Sequence, residues 1–316
     1  MKSKLSISVV IPVYNSEATL DELATRLQTA LSDLAPKYEV ILVNDGSRDG
    51  SWQAITRLCE EHAWLQGINL MRNFGQHNAL LCGVRAANHN IIITMDDDLQ
   101  HPPEEIHKLV DHLETGCAVV YGIPDKLPHS IWRNFFSRLI KRVLAFVMGV
   151  PGLRDIGAFR AFRSDLQRAF STYSSPHVIL DVLLSWGTTS FGYVTIHEDV
   201  RKVGKSNYTL IKLVTTAIFV LTSFSTAPLR IASLIGFVMM LFGLALFIYV
   251  IASYLALGSL PGFPFLASTI SLFSGAQLFA LGIIGEYLGR IFDRSMERPQ
   301  YVIGNQVNPH QPQDDV

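Results

Sequence analysis

Three consecutive carboxylates and an amide follow an apolar run of strand length in this chain. Residues 91–95 read Ile-Ile-Ile-Thr-Met, and Asp96, Asp97, Asp98, Leu99 and Gln100 come directly after them. Such a run suits a strand buried on both faces of an α/β sheet, and these sheets bind ligands beyond the carboxyl ends of their strands. Adjacent carboxylates repel one another unless a cation lies among them, and hard oxygen ligands suit Mg²⁺ or Mn²⁺, which can hold a diphosphate. The alternative is an acidic loop in which Asp98 caps a helix that begins near Pro102.

Strand and helix patterns alternate up to this acidic run. Apolar, β-branched runs predict four strands, at residues 6–13, 38–43, 65–70 and 91–95. Apolar residues at helical spacing predict three helices, at residues 20–34 with Ser16 as the cap, at 52–59 and at 76–88. This alternation indicates a parallel sheet with helices on both faces, so we predict an α/β fold.

The composition indicates a membrane-attached protein. Of the 316 residues 49% are hydrophobic and only 17% are charged, and the net charge of −1 gives no indication of nucleic-acid binding. Residues 231–285 contain no Asp, Glu, Lys or Arg, which fits two membrane spans, 231–257 and 265–285, better than a buried helical hairpin. Because Arg230 precedes the first span and Arg290, Arg294 and Arg298 follow the second, both termini are expected in the cytosol.

A basic, aromatic region precedes the spans. Residues 126–168 hold nine Lys or Arg and two acids, and Arg133, Ser137 and Lys141 share one face at helical spacing. Such a helix suits a membrane interface with anionic headgroups, although a solvated basic face would have the same pattern. Residues 208–224 form a second amphipathic stretch that leads into the first span.

The order of three segments resembles family-2 glycosyltransferases of the GT-A fold. They are Val10-Ile11-Pro12-Val13-Tyr14-Asn15, Val43-Asn44-Asp45-Gly46-Ser47 and Asp96-Asp97-Asp98-Leu99-Gln100. With Arg72-Asn73-Phe74-Gly75-Gln76-His77 and the two spans, the chain resembles the polyprenyl-phosphate glycosyltransferases, the group that contains dolichyl-phosphate mannose synthase. Within that group, residues 75–77 and 102–105 are most similar to the undecaprenyl-phosphate formamido-arabinose transferases, and the bactoprenol glucosyltransferases come next.

The resemblance implies a donor site for a UDP-sugar. The nucleotide-sugar contacts would come from Pro12, Tyr14, Asn15, Asp45, Ser47, Arg72, Gln76 and Asp97. The metal, Mg²⁺ or Mn²⁺, would be held by Asp96, Asp98 and Gln100, and the catalytic acids would be Asp96, Asp98 and Asp155. Asp45 also fits a turn before Gly46, and His77 fits a local structural role. Asp155 could orient the acceptor, act as a base, or form a salt bridge to Arg154 or Arg163.

The resemblance also implies an acceptor site for a lipid phosphate. Arg133 and Ser137 match the positions that hold the phosphate, and Arg201 and Ser206 match a loop that closes over the active site. Some members of the family have a further Arg after the fifth strand, where this chain has Tyr121-Gly122-Ile123. That phosphate contact is missing here, or Lys126 replaces it.

These inferences combine into a prediction of domains. The expected divisions are a GT-A domain at 1–206, a juxtamembrane amphipathic segment at 207–229, two transmembrane helices at 230–286 and a cytosolic tail at 287–316. The tail is rich in Gln, Asn and Pro and is predicted to be disordered beyond a short ordered piece at 301–303.

The predicted activity is inverting transfer of one sugar from a UDP-sugar to polyprenyl (undecaprenyl) phosphate, for cell-envelope glycan or lipid A modification. The enzyme would lie in the inner membrane as a homo-oligomer, for which the resemblance suggests a tetramer. The alternatives are a processive polysaccharide synthase, although its Gln-x-x-Arg-Trp motif is absent, and a non-catalytic membrane scaffold. The loops at 121–126 and 155–163 are expected to set the sugar, which the motifs do not identify.

Overall fold

A computed structural model describes residues 5–125, 157–176, 178–199, 222, 224–257 and 262–308. The chain divides into two compact units, one formed by Met1–Leu213 with Glu297–Val316 and the other by Val214–Met296. Several predicted residues lie outside the described part, namely Arg133, Ser137, Asp155, Arg201 and Ser206. The same holds for the basic helix before residue 157 and for most of the predicted juxtamembrane segment.

The first unit is built on an eight-stranded mixed sheet. Its strands are β1 (Ser6–Val13), β2 (Lys37–Asn44), β3 (Leu65–Leu70), β4 (Ile91–Thr94), β5 (Val119–Pro124), β6 (Arg160–Arg163), β7 (Phe191–Ile196) and β8 (Ile303–Val307). Their order across the sheet is β7-β5-β6-β4-β1-β2-β3-β8. The first four strands are parallel, as predicted, whereas β6 and β8 run antiparallel to their neighbours.

Five α-helices accompany these strands in the part of the first unit that the structure describes. They are α1 (Glu17–Leu34), α2 (Ser51–Glu61), α3 (Gln76–Ala86), α4 (Ile106–Glu114) and α5 (Leu180–Gly187). The leucine spacing of α1 buries Leu20, Leu23, Leu27 and Leu31 in the hydrophobic core beside β1. Replacing such a buried leucine by alanine typically costs about 3–5 kcal/mol, so these positions fix α1 on the sheet. Ser16 occupies the capping position, but its hydroxyl makes no hydrogen bond to a helical N–H.

A strand near the end of the chain joins the sheet. Ile303–Val307 pairs with β3 as the antiparallel edge strand β8, so the predicted disorder beyond residue 303 is wrong for residues 304–307. Just before it, the buried side chain of Gln300 donates to the carbonyls of Tyr173 and Ser175, both at 2.9 Å. Residues 300–307 are thus an integral part of the first unit.

The described residues of the second unit form two long apolar helices, α6 (Ala227–Leu257) and α7 (Phe263–Ser295). Candidate spans of 30 residues (Ala227–Ala256) and 24 residues (Leu272–Ser295) contain 18-residue windows with mean hydropathies of 2.7 and 1.3, and both are long and apolar enough to cross a membrane. Phe273 of α7 stacks with Phe242 and lies against Gly243, so close packing joins the two helices. The helices agree with the two predicted spans, although α7 continues past residue 285 to Ser295.

Candidate active site

A cavity of about 340 Å³ opens where the parallel strands β1, β2 and β4 end. It is lined by Pro12, Val13, Tyr14, Asp45, Asn73, Gly75, Gln76, Asp96, Asp97 and Asp98. Seven of these ten lining residues were predicted from the sequence as site residues. The other three, Val13, Asn73 and Gly75, were not predicted. Asn15, Ser47, Arg72 and Gln100, also predicted for this site, are not among the lining residues.

The three carboxylates of the acid turn, residues 96–100, have different partners. Asp96 Oδ1 accepts a hydrogen bond from the Gln76 amide at 2.7 Å. Asp97 Oδ2 accepts from the backbone N–H of Tyr14 at 3.2 Å. Burial raises the pKa of Asp97, while hydrogen bonds from Ser16 and Tyr14 oppose the rise and the charge of Asp98 adds to it.

Asp98 shapes the turn itself. Its Oδ1 accepts the backbone N–H of Gln100 at 3.1 Å, and Leu99 between them has a φ of +60°. A left-handed φ is strained for leucine, but the side chain is only 1% exposed and belongs to the hydrophobic core. The buried side chain thus anchors the strained turn. The alternative in which Asp98 caps the following helix is wrong, because that helical turn (Pro103–Glu105) has Pro102 at its cap with no side-chain cap bond.

Asp45 holds the loop between β3 and α3. Its two carboxylate oxygens accept the backbone N–H groups of Phe74 at 2.7 Å and Gly75 at 2.9 Å. Burial raises the pKa of Asp45, and these two N–H groups oppose the rise. The next residue, Gly46, has a φ of +66°, and a Cβ there would lie 2.5 Å from the backbone nitrogen of Asn73. The turn predicted from Asp-Gly is therefore present, and glycine is required for the close approach.

Asn15 and Ser47 join two loops at the mouth of the site. The Asn15 N–H donates to Ser47 Oγ at 3.0 Å, and Asn15 Oδ1 accepts the N–H of Arg48 at 2.8 Å. The Arg72 guanidinium is exposed and lies 4.6 Å from the ring centroid of Phe74. Asn15, Ser47 and Arg72 therefore have local structural roles in this part of the protein. That they also bind the nucleotide stays a prediction.

Two further ionisable groups lie within electrostatic reach of Asp98. Burial raises the pKa of Glu198 and the charge of Asp98 raises it further, whereas burial lowers the pKa of His101 and Asp98 opposes that shift. The backbone N–H of Asp199 donates to the carbonyl of Gln100 at 2.9 Å, so the segment that follows β7 is tied to the acid turn. Residues 100 and 199 share no motif, and the sequence therefore did not predict this link.

The donor chemistry of the acid turn fits a hard divalent cation. Asp96 and Asp98 supply carboxylate oxygens and Gln100 an amide oxygen, as Mg²⁺ and Mn²⁺ prefer. In the described part of the chain, no three His, Cys, Asp or Glu side chains lie close enough together to hold a metal ion by themselves. An ion held at this turn would therefore complete its coordination with the diphosphate of a bound nucleotide and with water.

Comparison with known proteins identifies the family. The model described as "Glycosyl transferase family 2" matches residues 8–169, which is just over half of the chain. The chain belongs to glycosyltransferase family 2. It is therefore a glycosyltransferase, which confirms the predicted family and enzyme class.

This family-2 glycosyltransferase has similar relatives along almost its whole length. It is 36% identical over 303 residues to the undecaprenyl-phosphate 4-deoxy-4-formamido-L-arabinose transferase of Shewanella sediminis, covering 94% of this chain and 91% of that one. The transferase of the same name from Klebsiella pneumoniae is 33% identical, with 94% and 92% covered.

Solved structures support the fold of the family-2 domain. The glucosyl-3-phosphoglycerate synthase of M. tuberculosis in complex with Mn²⁺ and UDP-glucose matches with a TM-score of 0.50 and 20% identity, over 69% of this chain and 77% of that one. Its complex with Mn²⁺, UDP and glucosyl-3-phosphoglycerate matches with a TM-score of 0.51 over 69% and 78%. At this identity the similarity confirms the predicted GT-A fold alone.

Proposed function

We propose that this enzyme transfers 4-deoxy-4-formamido-L-arabinose from its UDP derivative to undecaprenyl phosphate. The observation that carries the proposal is the 36% identity to a transferase of that name over 94% of the chain. The acid turn at the mouth of the cavity and the two apolar helices support it, because the donor is a nucleotide diphosphate and the acceptor is a lipid. The product would serve lipid A modification.

The residues around the cavity suit an in-line displacement. Tyr14, Asp45 and Asn73 would bind the nucleoside, and Gln76 would keep Asp96 directed at the diphosphate through their 2.7 Å hydrogen bond. Asp96, Asp98 and Gln100 would hold Mg²⁺ or Mn²⁺, which supplies positive charge for the leaving diphosphate. A lipid phosphate is already an anion at neutral pH, so it can attack the anomeric carbon with inversion and without a strong general base.

The acceptor side of the proposal rests on residues outside the described part. Arg133, Ser137, Arg201 and Ser206 would hold the lipid phosphate, since guanidinium and hydroxyl groups suit a phosphate oxyanion. Asp155 would orient the acceptor or take a proton. The enzyme would lie in the inner membrane as a homo-oligomer, with the catalytic unit and both termini on the cytoplasmic side.

A transfer assay with purified full-length enzyme tests the proposal. The protein in detergent is incubated with undecaprenyl phosphate, Mn²⁺ and a panel of UDP-sugars, and the lipid products are identified by mass spectrometry. The expected product is undecaprenyl-phospho-formamido-arabinose. A different sugar on the lipid would refute the proposed donor, and no lipid-linked product with any donor would refute the activity.

A charge-neutral variant tests the role of the acid turn. Asp98→Asn should abolish transfer, because it removes the negative charge that would bind the metal ion. The protein should stay folded, because asparagine has nearly the same volume as aspartate. Asp33→Asn is the matched control, since Asp33 is exposed on α1, away from the residues that line the cavity. Unchanged turnover in Asp98→Asn would remove this carboxylate from the mechanism.

A further inference from the structure

A buried charged network lies behind the acid turn and outside the cavity lining. Arg160 of β6 is 1% exposed and forms an ion pair with Asp181 of α5, which is 6% exposed. The hydroxyl of Tyr121, on β5, donates to Asp181 Oδ1 at 2.8 Å and is fully buried. Arg160, Asp181 and Tyr121 thus join two strands and a helix through polar contacts in the interior.

Thr94 connects this network to the acid turn. Its hydroxyl accepts a hydrogen bond from Arg160 Nε at 2.9 Å and donates to the carbonyl of Ala158 at 2.7 Å. Thr94 is the last residue of β4 and stands two positions before Asp96. Ala158 stands three positions after Asp155, the residue predicted to act on the acceptor. One buried hydroxyl therefore couples the strand that leads into the donor-side acids to the described segment that begins at residue 157.

The sheet register explains why these groups meet. Arg160 is paired with Thr94 across β4 and β6 and with Tyr121 across β5 and β6. Directly paired residues project to the same face of a sheet, so the three side chains form one row across three strands. Asp181 completes the row from α5, and its carboxylate neutralises the guanidinium.

A gain in the stability of the folded protein is a weak explanation for this buried network. Burying an ion pair carries a desolvation penalty, and well-packed apolar groups of similar volume often serve stability equally well or better. Satisfied buried polar networks do, however, fix a unique arrangement of the elements that they join. Burial lowers the pKa of His77, beside the cavity-lining Gln76; the charge of Asp181 opposes this shift and the charge of Arg160 adds to it.

We propose that Thr94, Arg160, Asp181 and Tyr121 form a positioning network that sets the direction of the acid turn relative to the segment after Asp155. The inference rests on the proposed function, because it assigns the network to the alignment of donor and acceptor. The nucleotide side of the cavity is held separately, through the bonds of Asp45 and Asn15. Loss of the network should therefore slow sugar transfer without weakening the binding of uridine, which lacks the diphosphate that the acid turn would hold through the metal.

Thr94→Val and Thr94→Ser test the network as a matched pair. Valine keeps the volume and the strand preference but leaves Arg160 Nε and the Ala158 carbonyl without their hydroxyl partner, whereas serine keeps the hydroxyl. We expect kcat of Thr94→Val to fall by about 10- to 100-fold, the order of loss for misplaced reactants. The Kd of uridine should stay unchanged, and Thr94→Ser should restore most of kcat.

Tyr121→Phe provides a second test if Thr94→Val does not fold. It removes one hydroxyl from Asp181, and we expect kcat to fall again at constant Kd for uridine. Wild-type kcat in both variants, or an equal loss in Thr94→Ser and Thr94→Val, would overturn the network. A parallel loss of uridine binding would also overturn it, because that result indicates general damage to the site. If the wild-type enzyme itself transfers no sugar to undecaprenyl phosphate, the proposed function fails and the inference fails with it.

Discussion

Asp45 and Gly75 are joined across the candidate site, with Asp45 Oδ2 accepting the Gly75 N–H at 2.9 Å. The other oxygen of the same carboxylate accepts the N–H of Phe74, so both oxygens serve the loop that leads into α3. That loop also carries Asn73 and Gln76, which line the cavity. Asp45 was predicted from the sequence to contact the nucleotide. Its carboxylate also shapes the loop that carries other predicted nucleotide contacts.

Asp45→Asn should weaken the binding of UDP. An asparagine amide has one acceptor oxygen, and its NH₂ group would face a backbone N–H that needs an acceptor. A buried donor left without a partner costs about 1–3 kcal/mol. We expect UDP affinity to fall by about tenfold or more, since each 1.4 kcal/mol corresponds to a factor of ten. Isothermal titration calorimetry with Mn²⁺ measures the change, and wild-type affinity in the variant would contradict this role of Asp45.

Local patterns predicted the first half of the sheet and the position of the site. Four strands and the helices between them have clear apolar periodicity, and the acid turn directly follows one of these strands. Parallel strands bring their carboxyl ends to one edge, so Pro12, Asp45 and Asp96 could be expected to meet. Partners chosen by tertiary packing could not be predicted in this way. The Arg160–Thr94 bond spans 66 residues, and no local motif contains both side chains.

The edge strand β8 shows a second limit of sequence reasoning. Ile303–Val307 is mostly exposed and has no apolar alternation, so its composition resembles that of a disordered tail. Its order comes from backbone pairing with β3 and from the buried amide of Gln300. Both contacts join residues more than a hundred positions apart, which periodicity within a short window does not detect.

At most positions a glycine variant is less stable than an alanine variant, and we expect the opposite at the strained turn of Leu99. Both Leu99→Ala and Leu99→Gly lose a buried leucine, at a cost of about 3–5 kcal/mol. Alanine keeps the left-handed strain, which is about 1–2 kcal/mol for a residue with a Cβ, whereas glycine removes it. We expect the glycine variant to be the more stable by about 1 kcal/mol in denaturant unfolding of the full chain in detergent. A more stable alanine variant would show that the turn relaxes to another conformation.

Gln300→Leu should destabilise the first unit. The change keeps most of the volume but leaves the carbonyls of Tyr173 and Ser175 and the guanidinium of Arg85 without the amide. We expect a loss of about 2 kcal/mol, or about 4–8 °C in Tm. Gln306→Leu is the matched control, because Gln306 is exposed on β8. Equal shifts of Tm in the two variants would contradict a specific role for the buried amide.

The ion pair between Arg26 and Glu104 should give a measurable acid dependence of stability. The guanidinium of Arg26, on α1, donates to both carboxylate oxygens of Glu104, from Nε at 2.9 Å and from Nη2 at 2.7 Å. This side-chain hydrogen bond is the main reason that the pKa of Glu104 lies below its ordinary value of 4.5. The pair joins α1 to the helical turn that follows the acid turn.

The sign of the effect follows from the direction of this shift. A carboxyl group whose pKa is lower in the folded state stabilises the protein above its unfolded pKa, and the stabilisation is lost as the pH falls through the folded pKa. Because the side chain of Glu104 is about half exposed, at 52%, we expect no more than about 1 kcal/mol. Unfolding of wild type and Glu104→Gln should therefore differ at pH 7 and converge below pH 4.5. A difference that stays constant over this range would mean that the glutamate contributes through packing and not through its charge.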